Sequence, residues 1–317
     1  MIEVKGLSKS YGLNAAVRDV SFTAKKGEIV GLIGRNGAGK STTMNIIAGY
    51  ISSDEGNVAI NDHDILKEPV EAKRHLGYMP EFPPLYTEMT VYKYLEFVCR
   101  LMNVGKREMV SHIKGIMEQV GLTEVRDRLI SNLSKGYKQR VGIAKALCGN
   151  PENIVLDEPT SGLDPKQIVE IRQVIRNLGK DHTVIISSHI LKELADICTR
   201  LVIINRGVIA ADDTLDNLLT AGAGGQRILR LSVKNGDDLE SKLKAADGVV
   251  DVSRVGEAGG ITEYDVAEKF GTDVSEAVSQ AAVCAGATII VLKHLEYSLE
   301  DVFLRLTEGT AAEGAGK

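Results

Sequence analysis

Gly34-Arg35-Asn36-Gly37-Ala38-Gly39-Lys40-Ser41 matches the pattern G-x-x-x-x-G-K-S/T. Such a loop does phosphate chemistry when it joins a strand to a helix. Its glycines let backbone N–H groups turn toward an anion, and the helix N-terminus adds partial positive charge. Here the apolar run Glu28–Ile33 precedes the loop, and Ser41–Gly49 has the composition of a helix. The spacing assigns Lys40 to the β- and γ-phosphates and Ser41 to Mg2+, with Thr42 extending the cradle. A glycine-rich turn that matched by chance would not need the flanking strand and helix.

Three further groups fit that chemistry. The apolar Ile154-Val155-Leu156 ends in Asp157-Glu158-Pro159. Phosphoryl transfer depends mostly on charge placed around the γ-phosphate. Asp157 suits Mg2+, through water, and Glu158 suits the base that positions or deprotonates the attacking water. On their own, two such carboxylates would be solvated loop charges. His189 follows Val184-Ile185-Ile186-Ser187-Ser188, where the carboxyl end of a parallel strand faces a nucleotide crevice. It is assigned a polar contact to the γ-phosphate, against the plainer reading of a surface histidine. Last, Leu133-Ser134-Lys135-Gly136-Tyr137-Lys138-Gln139-Arg140 opens a basic helix. Ser134 can cap that helix near Gly136, which makes a second anion site. Lys40 and its helix already surround the chain's own γ-phosphate. The spare helix end therefore suggests two subunits head to tail, each completing the other's site; the alternative is an ordinary capped surface helix.

The elements that must hold these groups read as α/β. Short strands are expected near Gly56–Ile60, Ile154–Leu156, Thr183–Ser187 and Leu201–Asn205, with helices such as Gln167–Leu178 and Ile190–Cys198 between the later ones. That alternation argues for a mostly parallel sheet. Residues 68–150 hold helix formers at helical spacing, for example Val91, Leu95, Val98, Cys99 and Met102, and read as a helical insert, a subdomain at about 85–150. Ala221–Gly225 reads as a flexible joint. Beyond it come strand 228–234, helix 239–246, strands 248–256 and 261–268, helix 273–285 and strand 288–293. That order, β-α-β-β-α-β, is ferredoxin-like. A closing amphipathic helix is expected at Ser298–Leu306, with Ser298 as N-cap and Asp301 at the capping-box position. Residues 309–317 read as disordered. The expected domains are 1–220, a linker at 221–227, and 228–308.

With 317 residues, 44% apolar and 26% charged, the chain is an ordinary soluble two-domain protein with an aliphatic core: no Trp and five Phe. A net charge of −5 without basic blocks argues against nucleic acid as a partner. No apolar run reaches the roughly 18 residues of a membrane span, and Met1-Ile2-Glu3-Val4-Lys5 is not a signal peptide. A cytoplasmic protein is expected. Cys99, Cys148, Cys198 and Cys284 are scattered and read as reduced core residues. No metal cluster or catalytic constellation is read in the C-terminal part.

Gly34–Ser41, Leu133–Arg140, Val155–Glu158, Ser161-Gly162-Leu163-Asp164 and His189 occur in the order of ATP-binding cassette (ABC) ATPases, and residues 1 to about 220 resemble that family. The resemblance implies a P-loop ABC domain with a mostly parallel sheet, an N-terminal antiparallel β part and a helical insert. It implies a homodimer that closes on two ATP molecules with Mg2+ and opens after hydrolysis. By the same resemblance Tyr11 stacks on adenine, where the plainer reading is a turn tyrosine. Lys135 and Asp164 fall at the inter-subunit face, Asp164 in the loop that couples the two sites. Two departures stand out. The family's signature is Leu-Ser-Gly-Gly-Gln, and here Lys135 and Tyr137 replace the first glycine and the glutamine. After Gly77-Tyr78-Met79-Pro80 the family usually has Gln, and here Glu81 stands; it keeps an oxygen for Mg2+ or water but adds a charge. These features, with Ser298–Leu304, resemble the single-domain ATPases of bacterial multidrug and gliding-motility exporters. The resemblance then implies a motor peripheral on the inner face of the membrane, bound to an integral permease, with Phe82-Pro83-Pro84-Leu85-Tyr86 docking it. An importer ATPase with a ligand-sensing tail and a soluble ABC protein acting on ribosomes or DNA are the alternatives. Glu81 and the Lys-Gly-Tyr signature speak against the first. The single set of motifs and the acidic balance speak against the second.

Overall fold

A computed structural model describes residues 1–222, 226–236, 238–269, 271–295, 300 and 302–304. The chain opens with β1 (Ile2–Tyr11) and β2 (Asn14–Ala24), then β3 (Ile29–Ile33) and α1 (Lys40–Ile47). β4 (Glu55–Ile60), β5 (His63–Asp64), α2 (Pro69–Arg74) and β6 (Leu76–Met79) follow. Next come α3 (Val91–Leu101), α4 (Lys106–Val120) and α5 (Lys135–Leu147). The alternating run is β7 (Asn153–Leu156), α6 (Pro165–Leu178), β8 (Thr183–Ser188), α7 (Leu191–Ala195), β9 (Arg200–Asn205), β10 (Val208–Asp213) and α8 (Leu215–Gly222). The C-terminal part holds β11 (Gln226–Lys234), α9 (Leu239–Lys244), β12 (Val249–Ala258), β13 (Ile261–Lys269), α10 (Ser275–Cys284) and β14 (Thr288–Leu295).

The chain divides into two compact units, Met1–Leu215 and Asp216–Lys317. In the first, one sheet has the order β10-β9-β3-β8-β7-β6. β9, β3, β8, β7 and β6 are parallel, and β10 closes the edge as an antiparallel hairpin. β3 is buried at all five positions, as a strand covered on both faces must be. The pairs Ile33↔Ser188, Leu156↔Ile186 and Met79↔Leu156 bring the carboxyl ends of β3, β8, β7 and β6 to one edge. A second, antiparallel sheet runs β2-β1-β4-β5. Leu7, Val20 and Ile60 from it meet Leu32, Met44 and Val155 in one core. α3 buries Val91, Leu95, Val98 and Cys99 of the expected stripe together with Tyr94, while Met102, also expected, is the half-buried C-cap; Thr90 caps the helix by accepting from Lys93 N–H.

Several expectations shift. β6 lies inside the block read as helical, because four residues are too few to show a period against the helices on either side. Ile190–Cys198 is helical only over Leu191–Ala195. Of the cysteines, Cys99 and Cys148 are buried, Cys198 is partly buried and Cys284 is exposed at the end of α10, so the last is no core residue.

In the second unit the sheet order is β12-β13-β11-β14, antiparallel throughout, with α9 and α10 in the connections. This is a split β-α-β arrangement. Leu229, Leu231 and Val233 alternate inward on β11 and pack with Leu239, Leu243, Val278 and Ala282. Most of the helix expected over Ser298–Leu306, both its capping residues, part of the expected joint, and 309–317 lie outside the described residues.

Candidate functional site

Residues from both sheets meet in one cleft of about 520 Å³, lined by Tyr11, Ala16, Asn36, Gly37, Gly39, Lys40, Ser41, Thr42, Glu81, Glu158, Ser161 and His189. That volume falls in the range of small-molecule sites. The sharp turn from β3 into α1 needs glycine at two places. Gly39 sits at φ 110°, and a Cβ there would lie 2.6 Å from the carbonyl oxygen of Ala16. At Gly34 a Cβ would lie 2.4 Å from the carbonyl oxygen of Ile204. The loop is thus pressed between β2 and β9 by backbone that cannot rotate away. Arg35, Asn36 and Gly37 are exposed, and Ala38 is buried against the core. Its backbone N–H groups and the α1 N-terminus form an anion cradle that side chains would fill.

Lys40 is buried, and its Nζ donates to the carbonyls of Gly34 (2.7 Å) and Arg35 (3.3 Å). Burial lowers its pKa, opposed by Glu158, Asp157 and Glu81. Nζ lies 4.0 Å from Glu158 Oε1. The ammonium therefore stands between the phosphate loop and the acidic strand end.

β7 delivers the two carboxylates, both buried. Burial raises the Asp157 pKa, and the hydroxyls of Ser187 and Ser41 pull it back down. Ser187 Oγ donates to Asp157 Oδ1 and accepts from the Glu158 backbone N–H at 2.8 Å. One hydroxyl from β8 thereby fixes both acidic residues. Glu158 has φ 47°, a left-handed conformation that costs a residue with a Cβ about 1–3 kcal/mol. His189 Nδ1 donates to Glu158 Oε2 at 2.8 Å. A few residues on, Glu193 of α7 is buried and accepts from Thr160 and from Ser188, tying the loop after β7 to the end of β8.

Glu81 reaches the cleft from β6, and its carbonyl accepts from Gln139 Nε2 (3.4 Å) of α5. Tyr11, 53% exposed, lines the cleft from the β1–β2 turn. Ser41, Asp157 and Glu81 offer oxygens only, the donor set that suits Mg2+.

Ser134, Lys135, Gly136 and Asp164 do not line this cleft. Ser134 is exposed and caps α5 by accepting from Tyr137 N–H (3.4 Å). Asp164 caps α6, accepting from Gln167 N–H at 3.0 Å. Lys135 Nζ lies against Gly162, and Gly136 lies against the Gln167 side chain, so the two caps are neighbours in one chain.

Sequence reasoning quoted Ser161, Ser187 and Ser188 within longer motifs without giving them a role, and missed Thr160 and Glu193. A polar pair, Ser187-Ser188, closing an otherwise apolar strand was the available signal.

A family model described as ABC transporter matches residues 17–161. The chain is 32% identical to the linearmycin resistance ATP-binding protein of Bacillus subtilis (strain 168) over 98% of this chain and 99% of that one. It is 30% identical to the bacitracin transport ATP-binding protein of Bacillus licheniformis over 98% of both. Among solved structures it resembles a dimeric ATP-binding cassette in a post-hydrolysis state with ADP and Pi (TM-score 0.61, 26% identity, 68% of this chain and 99% of that one). With the phosphate loop, acidic strand end and histidine gathered in one cleft, these relationships establish that the chain belongs to the ABC transporter ATP-binding proteins and is an ATP hydrolase.

Proposed function

We propose that the chain is the motor of an exporter: two copies pair head to tail around two ATP molecules and drive an integral membrane permease from the cytoplasmic face. The observation that carries the exporter reading is the reach of the similarity. The linearmycin-resistance and bacitracin-transport relatives match 98% of the chain, C-terminal unit included, whereas the cassette structure accounts for 68%. Pairing is supported by the exposed cap at Ser134, which does not line the cleft of its own chain, and by the dimeric state of the similar cassette. Among the described residues no helix is long and apolar enough to cross a membrane.

In this reading the loop amides and Lys40 bind the phosphates, Tyr11 stacks on the base, and Ser134 and Gly136 of one copy cap the γ-phosphate held by the other. Lys135 and Asp164 lie at the contact between copies. Ser41, Asp157 and Glu81 would hold Mg2+, which when bound neutralises phosphate charge. Glu158 Oε2 orients the attacking water and accepts its proton. His189 donates through Nδ1 to that same oxygen, so Nε2 donates to a phosphate oxygen only when the ring carries both protons. Glu158→Gln keeps the shape and removes the base. With ATP and Mg2+ it should accumulate as a dimer by size-exclusion chromatography with little phosphate release; a variant that stayed monomeric at saturating ATP would sink the shared site.

A further inference from the structure

The C-terminal unit contains a cluster that the ATPase chemistry does not use. Glu268 of β13 is fully buried, and His294 of β14 is 23% exposed at its side chain. They belong to strands separated by β11. Glu268 pairs with Arg227 and His294 with Leu229, two residues apart on β11, so both side chains leave the same face of the sheet. Asp273, in the turn before α10, completes the group. His294 Nε2 lies 2.9 Å from Glu268 Oε1 and 3.9 Å from Asp273 Oδ1, and the three ligand atoms all lie within 4.8 Å of one another.

An ordinary buried ion pair does not account for this geometry. A buried carboxylate needs its oxygens satisfied. Glu268 Oε2 accepts from Val274 N–H at 2.9 Å, which fixes the carboxylate. Oε1 and His294 Nε2 are both cut off from solvent, and among the described residues neither has a hydrogen-bond partner: despite their 2.9 Å separation the N–H direction does not serve the pair. Arg227, opposite Glu268 in register, makes no ion pair with it among the described residues. Buried ligand atoms that converge with unmet bonding capacity can serve a third body. In a zinc site with bonds of about 2.0–2.2 Å, tetrahedral ligands stand roughly 3.3–3.5 Å apart, and the observed separations bracket that spacing.

The geometry points to a divalent transition-metal site formed by Glu268, Asp273 and His294, of the zinc class. One imidazole with two carboxylates suits Zn2+, Mn2+ or Co2+, and Mg2+ and Ca2+ prefer oxygen alone. Two carboxylates match the charge of a dication, offset in part by Arg227 nearby. Asp273 is the exposed ligand, its side chain 69% accessible, and provides the entry side; its Oδ1 also accepts from Ser275 N–H at 2.9 Å. A bound metal would join β13 to β14 across the intervening strand and to the start of α10.

The test uses the full chain, stripped with chelator and titrated with ZnCl2 in excess Mg2+, so that oxygen-only sites are already filled. Calorimetry should show one strong Zn2+ site per chain. His294→Ala and Asp273→Asn should each weaken it at least about tenfold, the loss that even an outer-shell partner causes. Co2+ should give the visible absorption of a low-coordinate site in the parent and not in His294→Ala. Absence of Zn2+ uptake by the parent, or uptake that survives His294→Ala unchanged, overturns the assignment. Should His294→Ala fail to fold by circular dichroism, the exposed Asp273→Asn decides in its place.

Discussion

Ser187 shows what single residues add to the motif. It binds a backbone N–H on one side and a carboxylate on the other. Ser187→Ala leaves the buried Glu158 N–H without its acceptor, a loss of about 1–3 kcal/mol in stability. It also removes a group that lowers the Asp157 pKa, which burial already raises. In the proposed reading Asp157 works as the carboxylate, so activity is present above its pKa and lost as pH falls through it. Without Ser187 that pKa moves further up, and the acid limb of the ATPase pH–rate profile should shift to higher pH. An unshifted limb would remove Ser187 from the site's electrostatics. The glycine loop and the acidic pair were legible because their chemistry depends on neighbours in sequence. Ser187 was not, since its partners are 29 and 30 residues away and the polar pair closing β8 does not say what it binds.

Among the elements, α5 would on the proposed pairing couple the two halves of the chemistry. Its N-terminus carries Ser134, and its body rests on β6, which leads to Glu81. The contact is held by glycine: a Cβ on Gly77 would lie 2.0 Å from the Ala146 carbonyl oxygen, and one on Gly142 would lie 2.8 Å from Pro83. Backbone cannot swing aside as a side chain can. Gly77→Ala should therefore push α5 off the strand and destabilise the fold by about 1–3 kcal/mol, measurable as a lower melting temperature. An unchanged melting temperature would mean the helix shifts freely. The strand–helix alternation and the β-α-β-β-α-β order were readable from residue patterns. Sheet order was not, because which strand lies beside β3 is decided by crossovers that leave no period in the sequence.

For the whole molecule, the proposed motor must pass its motion to a permease. Phe82 is 77% exposed in the loop that follows Glu81, an apolar side chain left mostly uncovered among the described residues. Phe82→Asp and Leu85→Asp should weaken docking by about 2 kcal/mol or more, the scale of an interface anchor. Transport in reconstituted vesicles should fall while basal ATPase persists; transport that survived would place the coupling surface elsewhere. The resemblance made the motor readable over the first unit, since its motifs are contiguous strings. The Glu268–Asp273–His294 cluster escaped notice because only folding brings three separate strand and turn positions together. The cap at Ser134, outside its own cleft, has a genetic consequence on the proposed pairing. No copy is self-sufficient, so a cell making both normal chain and Glu158→Gln would assemble mixed pairs. The ATP left unhydrolysed at the defective site would hold such a pair closed, so the defective allele would be dominant, silencing its neighbour as well as itself.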